Sequence, residues 1–213
     1  MKDLTKKLLI ILISIFVITA CDNNSTEPED DDTGGSGAIT SISGTIQAWT
    51  QGEGYSVKLV VDTEAKEIFV AGESSISVSG NFNISSLEDV PGDFLAGIDS
   101  DFPEGVTCDN PNAKFSINAS YLYVYDNNGT NLGELSYAGY DTQNYIMGIF
   151  VYSDSKAKIT GTYTQDGMEV NVNLDFKKGW NLYYAIMSEN GNSYKITLTS
   201  THQDGLQWYF SGK

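Results

Sequence analysis

From residue 39 to the C-terminus, apolar and polar positions alternate in short runs rich in Val, Ile, Thr, Tyr and Phe. Gly, Asn and Asp interrupt these runs about every 8–12 residues, the rhythm of a sandwich or barrel. The pattern predicts strands near 39–49, 55–62, 66–71, 75–79, 81–86, 114–125, 132–137, 145–152, 157–164, 168–176, 180–187, 193–200 and 206–211. Asn128-Gly129, Asp166-Gly167, Asn190-Gly191 and Asp204-Gly205 each supply positive φ between two alternating runs, as a hairpin turn requires. No apolar period of 3.6 follows residue 20. Residues 88–112 break the rhythm with three prolines and seven acids, and they predict a long loop. The expected fold is all-β: an antiparallel sandwich forming one large or two small units. Its divisions are a module over 39–90, an acidic loop over 91–113 and a second β-unit over 114–213.

The first 38 residues follow a different logic. Lys2, Lys6 and Lys7 precede an apolar run over residues 8–18 that only Ser14 interrupts. That run is too short for a hydrocarbon core that needs about 20 residues, but it suits the middle of a secretion signal. Ile18-Thr19-Ala20-Cys21 then resembles a bacterial lipobox. The resemblance implies cleavage after Ala20 and a diacylglyceryl group on the Cys21 thiol, with a further acyl chain such as palmitate on the new amino group. Each buried methylene contributes about 0.8 kcal/mol, so two or three acyl chains anchor the protein permanently. Residues 22–38 carry six acids, three glycines and no large apolar side chain. They predict a disordered tether with an r.m.s. span of roughly 20–25 Å. Its acidic tract resembles the surface-export signal of Bacteroidetes lipoproteins. The expected location is the outer membrane or cell surface, with the bilayer as partner through acylated Cys21.

Charge narrows the choice of partners. Residues 39–213 hold nine lysines against twenty-one acids, and arginine is absent from the whole chain. Nucleic acid needs a cationic footprint, so it is excluded as a partner. The same field disfavours phosphorylated substrates and anionic membrane surfaces. Lipidation of Cys21 leaves Cys108 as the one free thiol, which is expected to be buried as a small hydrophobe.

Three segments carry a resemblance to a family. ISGTIQAW (42–49), VKLVVD (57–62) and SISVSGNFNISSL (75–87) look like the start of a carboxypeptidase-regulatory-like, or transthyretin-like, β-sandwich. There a Gly-Thr strand leads to a segment ending Gly-x-Phe-x-Ile. ITGTY (159–163) and VNLDFKKGWNLYY (172–184) resemble the C-terminal half of bacterial lipoproteins with that module. In enzymes such modules are accessory domains, so the resemblance implies no catalytic residue.

Candidate chemistry is sparse. His202 is the single histidine, set in a turn between two strands without a Gly-x-Ser-x-Gly elbow. One histidine and one thiol do not make a zinc site. Asp99, Asp101, Glu104 and Asp109 can supply some of the oxygens Ca²⁺ needs, and the 126–131 turn offers a second oxygen-rich loop. The richest pattern is aromatic. In Tyr121-Leu122-Tyr123-Val124-Tyr125 the period of two puts three tyrosines on one face of a strand and the aliphatic pair on the other. If Leu122 and Val124 face the core, the tyrosines form an exposed ladder suited to sugar rings or a partner's apolar surface. Trp49, Trp180 and Trp208 are expected in the core. The expected function is a non-catalytic, membrane-anchored module that binds a glycan or protein and holds no cofactor. A hydrolase using carboxylates or His202, and a purely structural envelope protein, are the two other readings.

Overall fold

The computed structural model describes residues 38–62, 68–97, 103–116, 120–190 and 193–213. The lipobox with Cys21, the tether over 22–37, Asp99 and Asp101 lie outside those residues. Fifteen strands occur among them: β1 (Ile42–Thr45), β2 (Tyr55–Asp62), β3 (Ile68–Ile76), β4 (Asn81–Ile84), β5 (Leu95–Gly97), β6 (Val106–Cys108), β7 (Lys114–Ser116), β8 (Tyr121–Asp126), β9 (Asn131–Tyr140), β10 (Asn144–Ser153), β11 (Ala157–Gln165), β12 (Met168–Phe176), β13 (Gly179–Asn190), β14 (Ser193–Thr199) and β15 (Gln207–Gly212). No α-helix is present among the described residues, and the fold is all-β as the alternation predicts.

Thirteen strands form one sheet in the order β3-β2-β8-β9-β10-β13-β14-β12-β11-β6. β15 adds along β9, the β5–β7 pair hangs from β10, and β1 with β4 makes a separate two-stranded sheet. All pairings are antiparallel except β12 with β14, so the sheet is mixed at that one place. Three predicted features change in detail. The strands predicted over 66–71 and 75–79 are one strand, β3. The 88–112 segment contains β5 and β6, each three residues long and too short to show an alternation. The single strand predicted over 114–125 is two strands, β7 and β8.

Two apolar cores lie on opposite faces of the sheet. The first gathers β1, β2 and β4 against Leu122, Val124, Leu135, Phe150, Trp180 and Trp208. The second gathers β11, β12 and β14 around Phe115, Ile149, Val151, Tyr183 and Ala185. The period of two explains how β10 serves both: Phe150 and Tyr152 enter the first core while Ile149 and Val151 enter the second. β13 divides likewise, with Trp180 on one side and Tyr183 and Ala185 on the other. Such doubly buried strands read as nearly unbroken apolar runs. The two cores thus share a wall and form sandwich-like layers on either side of it. Full burial of one Phe or Ile side chain contributes about 1.5–3 kcal/mol, so the shared wall stabilises both halves at once.

The hairpin turns follow their sequence. Asp166 and Gly167 both take positive φ, 50° and 78°, and close the Gln165–Met168 pair between β11 and β12. This is the type I′ geometry that Asp-Gly favours, because its twist matches that of the strands. Gly129 lies at positive φ in the β8–β9 hairpin; Gly205 also lies at positive φ, but β14 and β15 do not pair with each other, so Asp204-Gly205 turns a connection and not the expected hairpin. Gly191 falls outside the described residues, and the Asn190–Ser193 pair flanks it.

Candidate functional site

The face of β8 turned away from the first core holds the tyrosines. Leu122 and Val124 are buried, so Tyr121, Tyr123 and Tyr125 must point to the opposite side of the sheet. They are half-buried there rather than fully exposed, because this face borders the second core. The rings of Tyr121 and Tyr123 stack with centroids 5.6 Å apart. β2 sets Val60, Lys58 and Ser56 opposite Tyr121, Tyr123 and Tyr125. Lys58 Nζ lies 5.1 Å from the centroid of the Tyr125 ring and 3.2 Å from Glu73 Oε1. That ion pair is partly exposed and contributes little to stability. Its effect is to occupy the lysine.

On its other side β8 meets β9, and a bulge there decides which residue faces the ladder. Tyr125 pairs with Asn131 and Val124 with Gly133, so Leu132 is an extra residue in β9. Gly133 takes φ 155°, and a Cβ on it would collide with the Ser211 carbonyl of β15. Only glycine fits such a close approach. The result is that Glu134 sits opposite Tyr123.

Glu134 is half-buried, and burial alone raises its carboxyl above the ordinary glutamate value. Among the described residues it has no lysine partner. Its charge acts on three neighbours. Burial, and then Glu134, pushes up the Tyr121 phenol. The Tyr123 phenol is raised by burial, then by Tyr121, Asp62 and Glu134. Burial, Tyr140 and Glu134 together raise Tyr145. A cavity of about 70 Å³ opens beside Glu134, Tyr121, Met147 and Ile149. It lies where β9 stops pairing with β8 at Leu135 and begins pairing with β10 at Tyr137. Glu134 escaped the sequence reading because its position depends on the bulge; the one visible signal is an acid between Gly133 and Leu135 within a strand.

A larger groove of about 770 Å³ lies on the other face, between the 39–43 segment and the outer side of β11–β14. Leu182, Tyr184, Phe150 and Trp208 floor it, and Lys158, Asp175, Thr201 and His202 stand at its rim. His202 Nδ1 is 3.1 Å from the Tyr184 hydroxyl, and Nε2 is 3.3 Å from Asp204 Oδ1. Both ring nitrogens are therefore committed to groups other than a serine. The arrangement is not a serine nucleophile with its base.

The remaining candidates have local duties. Asp109 Oδ1 accepts the Lys158 backbone N–H at 2.6 Å, which ties β6 to β11, and Glu104 is exposed. In the 126–131 turn, Asp126 Oδ1 accepts the backbone N–H groups of Asn128 and Thr130, each at 2.8 Å. This carboxylate is capping its own hairpin, and those bonds hold it below the usual aspartate range. Among the described residues no three His, Cys, Asp or Glu side chains converge on a metal position. Cys108 is half-buried against the second core, and burial raises its thiol. Trp180 and Trp208 are buried in the first core, and half-buried Trp49 packs at its edge.

The chain was compared with protein-family models, curated proteins and solved structures. None of the three matches it. Among the described residues no helix is long and apolar enough to cross a membrane.

Proposed function

We propose that this chain is a bacterial envelope lipoprotein, held to the bilayer by acylated Cys21, whose folded part is a non-catalytic module that binds a glycan. The observation that carries the reading is the tyrosine face of β8. Two stacked rings and a third tyrosine line one strand face, with Lys58, Ser56, Asn131 and Glu134 beside them. Flat rings stack on the apolar faces of sugars, while flanking polar groups meet the hydroxyls. The lipobox-like Ile18–Cys21 segment and the acidic tether support attachment at the outer membrane or cell surface. The strands that resemble a carboxypeptidase-regulatory-like module fit an accessory role.

Two experiments test the proposal. Palmitate labelling is expected for the full chain and lost in Cys21→Ser; equal labelling of both would remove the anchor. On a glycan array, Tyr123→Ala is expected to lose at least about tenfold in affinity, the equivalent of 1.4 kcal/mol. If wild type binds no glycan, the glycan reading fails.

A further inference from the structure

We infer that the glycan held on the tyrosine face carries a free amine, and that Glu134 with Tyr121 and Tyr123 forms an ammonium subsite. This inference rests on the reading of that face as a glycan site. The argument begins with what a half-buried carboxylate lacks. Removing charge from water is costly unless an opposite charge or hydrogen bonds replace the lost hydration. Asp126 and Asp141, at the turns of two hairpins, obtain such replacement from backbone N–H groups. Glu134 has no lysine against it among the described residues. Lys58, the lysine set opposite the ladder, is engaged by Glu73 and the Tyr125 ring.

What surrounds the carboxylate suits a cation from outside. Tyr123 faces Glu134 across the β8–β9 pair, and its ring stacks on Tyr121. Tyrosine faces carry negative potential, so an ammonium group gains from the rings as well as from the carboxylate. Its N–H groups can donate to the carboxylate, a charge-assisted bond stronger than a neutral one. The adjoining cavity of about 70 Å³ leaves room for a small group beside Glu134 and Tyr121. An anionic sugar such as a uronic acid would be repelled here, and an N-acetylated sugar would bring no charge. The bulge at Leu132 and the left-handed Gly133 fix this geometry before any ligand arrives, so little ordering cost falls on binding.

The test uses the full chain and a matched pair of probes: a glucosamine tetramer and an N-acetylglucosamine tetramer of the same linkage, titrated at a pH where the sugar amine is protonated. Wild type is expected to prefer the free amine by at least about tenfold, or 1.4 kcal/mol. Glu134→Gln keeps the shape and removes the charge, and it is expected to abolish the preference while retaining weak binding of the acetylated probe. Equal affinity of wild type for the two tetramers overturns the ammonium subsite and leaves the glycan reading standing. So does a preference that survives in Glu134→Gln. If neither tetramer binds while another glycan on the array does, the amine inference alone fails. If no glycan binds at all, both fall together.

Discussion

Two ribbons of the same sheet treat their second face in opposite ways. β10 and β13 are packed on both faces, with Phe150 and Trp180 in the first core and Ile149 and Tyr183 in the second. β8 is packed on one face through Leu122 and Val124, while the other carries half-buried tyrosines around a carboxylate that no lysine pairs with among the described residues. Both faces of the first ribbon are needed to close cores. The second face of β8 combines stacked rings with a bulge and a half-buried acid, and the last two are not what folding alone favours. Where local choices depart from what folding alone favours, a functional site is the expected reason.

The largest effects should come from the shared wall. Phe150→Ala opens a hole in the first core and should cost about 3–5 kcal/mol, and Ile149→Ala on the opposite face about 2–5 kcal/mol. In a chain of this size 1 kcal/mol moves Tm by about 2–4 °C, so each variant should melt roughly 10 °C lower. Denaturant titration would check the values. If only one of the two neighbours matters, the wall does not serve both cores. On β8 the same test should split. Leu122→Ala should cost about 2–5 kcal/mol, whereas Tyr123→Ala should cost only about 1 kcal/mol, typical of a partly exposed site. Comparable losses for both would mean that the tyrosine face is packing surface, not binding surface.

This division also marks what the sequence made legible. The alternation in Tyr121–Tyr125 is enough to put the tyrosines on one face and the aliphatic pair in a core, because side chains on a strand must alternate. The Asp166-Gly167 turn was equally readable, since its backbone geometry is a local property of two residues. The shared wall was not. Residues 145–152 show an unbroken apolar run, but the run does not say which core lies on which side. β5 and β6 were hidden because three residues hold too little pattern to stand out among prolines and acids. Glu134 was missed for a different reason: the residue opposite Tyr123 depends on one extra residue in β9 and on the close approach of Gly133 to β15. The groove beside His202 is assembled from segments more than a hundred residues apart, and no local pattern reports it.

The smallest expected effects, on stability, come from two kinds of carboxylate, and pH separates them. Asp141 accepts the backbone N–H groups of Gln143 and Asn144 at 2.8 and 2.7 Å, which holds it below the ordinary aspartate value. A depressed folded value contributes stability above the unfolded value, and that contribution is lost as pH falls through the folded one. Asp141→Asn should therefore flatten the acid side of a Tm–pH curve and change little elsewhere. Glu134 is raised by burial, so the sign reverses. The unfolded chain releases its proton first as pH climbs from the ordinary glutamate value, stability declines through that window, and the deficit persists above the folded value. Glu134→Gln removes the deficit. It should raise Tm near neutral pH and leave Tm unchanged in acid where both forms are uncharged. A more stable Gln variant that has lost its preference for the amine probe would fit a carboxylate kept for a ligand at some cost to the fold. A Gln variant that is less stable at every pH would instead show that Glu134 holds the β8–β9 pair together, and the contrast between the two ribbons would no longer mark a site.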